Sequence, residues 1–157
     1  MLRRLLPVAA AVLLFAGCGS DEPPAVTFAV GDTSVTAGPT QYCDMALTEC
    51  TGDPAAPVEL AVPAGTPVQV TVPDAIAQTP WQVVFSYRDA GGAQADQRSP
   101  VFAPDERSIW TLELATPADR LLTAQVQQYG PPPQINPDTG EVEFPIRASW
   151  VLTAAGE

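Results

Sequence analysis

From residue 26 onward, apolar and polar residues alternate with period two along most of the chain. Val26, Phe28 and Val30 are separated by Thr27 and Ala29, and the same alternation recurs at Val58-Leu60-Val62, Val68-Val70-Val72 and Trp81-Val83-Phe85-Tyr87. It returns at Trp110-Leu112-Leu114, then less clearly over 120–128 with Leu122, Ala124 and Val126 as the inward set. It closes in one long run, Val142-Phe144-Ile146-Ala148-Trp150-Leu152. Successive side chains of a strand leave on opposite faces, so each run predicts a strand with one buried row. Gly31-Asp32 separates the first run from 33–37. A two-residue Gly-x loop suits a primed hairpin turn. That register sets Phe28 opposite Val35 and Val26 opposite Ala37, with both apolar rows on one face. Pro145 marks the last run as an edge strand or a bulge, because proline donates no ladder hydrogen bond.

Eight strands parted by turn residues, and no convincing helix, predict an all-β fold. The expected architecture is an immunoglobulin-like antiparallel β-sandwich over residues 25–157. Trp81 on a middle strand suits it; a cysteine pair as close as Cys43 and Cys50 does not, since an immunoglobulin disulfide joins distant strands. The nearest approach to a helix is one turn at Ala46-Leu47. Residues 89–100 and 129–140 read as long loops, the second opening on the polyproline-prone Pro131-Pro132-Pro133. Tyr42 and Tyr129 stand at loop margins and, with those three prolines, are the candidate contacts for a partner. The tryptophans fall on inward rows and read as core.

The N-terminus follows different rules. Arg3 and Arg4 precede an apolar stretch from Leu5 to Ala16 that is too short to span a bilayer. Residues 1–17 therefore read as a cleaved signal peptide. The sequence Phe15-Ala16-Gly17-Cys18 resembles a bacterial lipobox, with Phe15 where Leu is usual. That resemblance implies diacylation of Cys18, palmitate included, and residues 18–24 then form a lipidated tether. Two acyl chains anchor stably, which places the protein outside the cell, on the outer face of the cytoplasmic membrane. Six extended residues reach about 20 Å, so the domain stays close to the bilayer.

Composition narrows the chemistry further. The 157 residues hold 18 Asp and Glu, seven Arg, no Lys and no His. The missing types exclude imidazole-based catalysis, histidine metal sites, Walker-type phosphate loops and Schiff bases. After loss of residues 1–17, five arginines face all 18 acids, a formal charge of −13. Nucleic acid is excluded as a partner, because its binding needs a basic surface. With Cys18 lipidated, Cys43 and Cys50 remain as one even pair in an oxidising compartment, which predicts a structural disulfide. The spacing fits neither a zinc knuckle nor a redox pair. No cofactor and no metal is expected.

The remaining motifs have plain readings. Asp138-Thr139-Gly140 matches an aspartic protease triplet, but Asn136-Pro137 before it signals a turn. Asp105/Glu106 and Glu141/Glu143 are the close carboxylate pairs a glycosidase would need; they read as solvated acids, the latter two opposite a core-facing Phe144. Asp32, Asp44, Glu49 and Asp53 do not form a calcium-loop pattern.

The segments Gln41-Tyr42-Cys43-Asp44 with Cys50, Leu60-Ala61-Val62-Pro63, Pro80-Trp81-Gln82-Val83, and Glu143-Phe144-Pro145 with Trp150 together resemble a family of actinobacterial exported proteins, domain of unknown function family 2771. The resemblance covers nearly all of the mature chain. It implies an exported, membrane-anchored protein without an assigned activity, and no catalytic residues carry over. The expected function is a non-enzymatic binding or scaffold module of the cell envelope, with an envelope protein or glycan as partner. A small-ligand or glycan carrier is the alternative, and a carboxylate-dependent envelope hydrolase a third.

Overall fold

The computed structural model describes residues 22–156. Cys18 and the leader before it lie outside the described residues. Two sheets enclose one core. The first contains β1 (Val26–Val30), β2 (Thr33–Ala37), β6 (Val68–Thr71) and β9 (Ile109–Leu112), in the order β2-β1-β6-β9. The second has seven strands. Its main path contains β3 (Gln41–Cys43), β4 (Cys50–Gly52), β7 (Trp81–Arg88), β8 (Gln94–Arg98), β10 (Arg120–Tyr129) and β13 (Ile146–Ala155), in the order β4-β3-β13-β10-β7-β8. The seventh, β5 (Val58–Ala61), lies parallel to the far half of β13, pairing Leu152 with Val58. A separate ribbon pairs β11 (Gln134–Ile135) with β12 (Val142–Glu143), and one helical turn, α1 (Asp74–Ala77), links β6 to β7. The chain is thus an all-β sandwich.

The alternating rows meet in the middle. Val26, Phe28, Val68, Val70 and Leu112 of one sheet pack against Val83, Val126, Trp150 and Leu152 of the other, all essentially without exposure. Full burial of each such side chain stabilises by about 1.5–3 kcal/mol. The first hairpin has the expected register, Phe28 opposite Val35 and Val26 opposite Ala37. Gly31 opens its turn at φ +55°, the sign a primed turn needs at that position. Among the described residues the core runs from Val26 to Ala154, so a chain starting at residue 22 carries that core.

Buried indoles still need hydrogen-bond partners. Trp81 donates its Nε1–H to Arg107 O at 3.2 Å and Trp150 to Pro24 O at 2.8 Å. The second bond ties the segment just before β1 to the body. Trp110 lies across from Val70 on the inward face, but β9 is an edge strand, so the indole is half-buried.

Five expectations need correction. Residues 129–140 are not all loop, because β10 runs on to Tyr129 and β11 pairs with β12. The stretch 89–100 is not all loop: β8 pairs antiparallel with β7, with Arg98 across from Val84. It shows no apolar row because this edge strand is exposed almost throughout and is held by its backbone ladder. Leu121 is buried in place of Leu122, because the ladder to β7 skips Leu122 and one extra residue reverses the alternation. The last run is two strands. Pro145 interrupts it, β12 joins the β11 ribbon, and Val142 and Phe144 are exposed rather than core-facing. β13, which carries the rest of that run, is central over most of its length, with β10 on one side and β3, then β5, on the other. Finally, Ala46-Leu47 lies in a non-helical turn, and the one helical turn among the described residues falls at Asp74–Ala77.

Candidate functional site

The cysteine loop is the first place where local sequence builds rigid geometry. Cys43 and Cys50 face each other across β3 and β4 and are disulfide-bonded. Asp44 holds the loop from inside. Its Oδ1 accepts the Thr48 N–H at 2.7 Å and the Glu49 N–H at 3.1 Å, and its Oδ2 accepts the Thr48 hydroxyl at 2.9 Å. Bonds to the charged form favour it, so the Glu49 amide, with the Thr48 hydroxyl, pulls the Asp44 carboxyl below its ordinary value. Tyr42 is not free. Arg147 lies 4.9 Å above its ring, donates to its hydroxyl at 3.1 Å and to Cys43 O at 2.9 Å, and so locks β3 onto β13.

Tyr129 and Pro131, Pro132 and Pro133 come together elsewhere. They line a cleft of about 610 Å³ on the outer face of the larger sheet. Its floor is built by strand pairing. Gln82 faces outward because its neighbours Trp81 and Val83 face the core, and it donates Nε2–H to Gln127 Oε1 at 2.9 Å across β7 and β10. Beyond β8, Ser99 N–H donates to Val83 O at 2.8 Å and the Ser99 hydroxyl accepts the Val83 N–H at 2.9 Å. These bonds carry Pro100 and Val101 along the cleft edge.

The opposite wall is the segment after β10. Tyr129 N–H donates to Pro80 O and Gly130 N–H to Pro145 O, each at 2.9 Å. A side chain at Gly130 would press on Arg147 Cβ and Leu47 Cδ2 at 3.3 Å, so the prolines leave from a tightly packed point next to the cysteine loop. Phe144, displaced from the core, stands edge-on to Tyr129 with ring centroids 6.1 Å apart. Phe144 and Val101 are both more than half exposed at this cleft, and Ile135 and Val142 on the ribbon are exposed as well.

Two polar features stand out in this setting. Gln82 is 5% exposed, and its Oε1 has neither a protein donor nor contact with solvent. Arg98, at the cleft edge, makes no hydrogen bond or ion pair among the described residues, whereas Arg88, Arg107 and Arg147 each engage the protein. Burial pushes the Tyr129 phenol above its ordinary value, with the Arg98 charge pulling the other way.

One wall of this cleft, Tyr129 and the three prolines, is legible in the sequence; the sequence pattern by itself does not reveal the rest, Gln82, Arg98, Val101 and Phe144. Only the proline at 145 signals that Phe144 leaves the core row. The carboxylate pairs lie elsewhere. Glu141 and Glu143 are exposed on the ribbon, and Glu106 accepts the Ala103 N–H and pairs with Arg107 at 3.3 Å. Asp138-Thr139-Gly140 forms the ribbon's turn, its amides capped by Asn136 Oδ1 and Gly140 at φ +73°.

The family described as Protein of unknown function (DUF2771) matches residues 19–155. The chain belongs to the DUF2771 family. The DUF2771 match spans both cleft walls and the disulfide. Uncharacterized proteins of Mycobacterium bovis and of two strains of Mycobacterium tuberculosis are 34% identical over 127 residues, covering 79% of this chain and 75% of theirs. No solved structure gives a significant match.

Proposed function

We propose that this DUF2771 protein is exported, held by acyl chains on Cys18 at the outer face of the cytoplasmic membrane, and serves as a non-enzymatic binding module whose ligand site is the proline-walled cleft. The observation that carries the reading is the cleft itself. About 610 Å³ is the size of a small-molecule site, and Phe144 and Val101 leave apolar surface open there. Exposed apolar area gathered around a concavity marks an interaction site more than scattered apolar residues do. The cleft favours a small ligand over a flat scaffold contact, so an envelope glycan or protein partner engages through a group that enters it.

Native mass spectrometry of the domain from residue 22, secreted by its own host, tests the cleft. A discrete ligand mass is expected on the wild type and not on Phe144→Asp with Val101→Asp, two exposed positions that leave the core intact. Absence of any adduct, together with no binding to a panel of envelope extracts, refutes the site. Membrane fractionation of Cys18→Ser in the full chain tests the anchor: an unprocessed precursor or release from the membrane is expected, and normal processing with retention refutes it.

A further inference from the structure

The cleft's charge and its place on the molecule narrow what it binds. The chain carries 18 acids and seven arginines, yet Arg98 makes no hydrogen bond or ion pair among the described residues, whereas Arg88, Arg107 and Arg147 each bond protein groups. Arg98 is exposed at the edge of a cleft whose remaining lining is apolar apart from Gln82 and Ser99. It sits across from Val84 in the ladder, two residues from Gln82 on the same outward face, so its stem starts about 7–8 Å from the floor. A guanidinium there recognises a carboxylate or phosphate by paired N–H donors. The rest of the lining, Tyr129, Phe144 and the prolines, offers rings and methylenes to an apolar body.

Topology adds the location. Thr27 pairs with Thr71 at the start of β1, and the chain then passes through α1 to Pro80, whose carbonyl receives the Tyr129 N–H. Gln128 bonds Ala75 O and Thr79 Oγ1 of the same turn. Pro24, bonded to Trp150, therefore enters at the end of the sandwich where the cleft lies. With Cys18 acylated, a tether of about 20 Å holds that end near the bilayer, where amphiphiles partition.

We propose that the cleft takes a free single-chain amphiphile with an anionic head, the head on Arg98 and the chain against Tyr129, Phe144 and the prolines. This rests on the cleft being the ligand site. The volume suits one short chain or ring system rather than a two-chain lipid, so the occupant has left the bilayer.

Calorimetry on the domain from residue 22 tests this with decanoate, decanol and decyltrimethylammonium below their micellar concentrations. Decanoate should bind about tenfold more tightly than either other probe, the factor expected for a charge-assisted hydrogen bond, and the advantage should shrink with salt. Arg98→Gln should reduce decanoate to the level of decanol, while Arg98→Lys keeps a preference for the acid; Arg98 is exposed, and a circular dichroism spectrum checks that the fold is kept. Equal binding of acid and alcohol, or a preference for the ammonium, overturns the head assignment and leaves the cleft as an apolar site. No binding by any probe, with no native adduct, removes both. Binding to phosphatidylglycerol vesicles without a response to free decanoate overturns the single-chain ligand in favour of a bilayer lipid.

Discussion

Replacing Gln82 by Met should stabilise the ligand-free domain. Gln82 contributes one good hydrogen bond, Nε2–H to Gln127 Oε1 at 2.9 Å, and one defect, an Oε1 shielded from water with no donor. A neutral hydrogen bond is worth about 0.5–1.5 kcal/mol net, and a buried unsatisfied acceptor costs about 1–3 kcal/mol. Methionine has nearly the same length, fills the space flexibly and removes both. Gln127 is only half-buried, so its freed carbonyl finds water. The balance is a gain of about 1 kcal/mol, or about 3–4 °C in melting temperature for a domain of this size. The partner substitution should have the opposite sign. Gln127→Met leaves both polar atoms of Gln82 unpaired in place and should cost about 1–3 kcal/mol. Urea unfolding followed by tryptophan emission reads both, with unchanged m-values confirming that the same surface is exposed. If Gln82→Met loses 1 kcal/mol or more, or if the two substitutions shift stability equally and in the same direction, the unsatisfied Gln82 Oε1 does not destabilise the cleft floor. A cleft floor less stable than it need be is what a site kept for binding, rather than for packing, should show.

Reduction of the Cys43–Cys50 disulfide, which closes an eight-residue loop, should lower stability by about 2.5 kcal/mol on the chain-entropy model; urea titrations with and without dithiothreitol check this, and an unchanged midpoint counts against it. Because β4 pairs only with β3 among the described residues, hydrogen exchange should rise at 44–52 upon reduction and stay unchanged in β7 and β10. The Asp44 carboxyl titrates below its unfolded value near 3.8, so its contribution is full above that value and is lost as pH falls through the lower folded one. The stability difference between wild type and Asp44→Asn should therefore be flat above about pH 5 and shrink in acid; a difference growing in acid contradicts the assignment. Gly65→Ala should destabilise by about 2–3 kcal/mol: the residue sits at φ +71°, and a Cβ would meet Pro117 backbone at 2.7 Å. Thermal melting decides it, and a shift under 2 °C refutes the close approach.

Period-two alternation was enough to locate β1, β2, β5, β6, β7, β9 and most of β10 and β13, because one face of each is buried and the other is not. The Gly31-Asp32 turn carried its register with it, since loop length fixes pairing in a hairpin. The disulfide was legible as the one even cysteine pair. Composition alone ruled out histidine and lysine chemistry. Where a strand buries neither face, as in β8, side chains carry no signal, and only its backbone ladder to β7 decides that it is a strand. Where one residue is extra, as at Leu122, alternation continues in the sequence but reverses in space. Phe144 shows the same gap more sharply: its row ran unbroken toward Trp150, yet Pro145 ended the ladder and the ring went to the cleft. The cleft itself joins Gln82 from β7, Arg98 from β8, Tyr129 from β10 and Phe144 from beyond the ribbon. None of these positions is close in sequence to another cleft wall, and each reads locally as an ordinary strand or loop residue. Strand formation depends on neighbours within a few residues, so it can be read from the chain. The cleft depends on which strands lie side by side, and only the packing of the two sheets decides that.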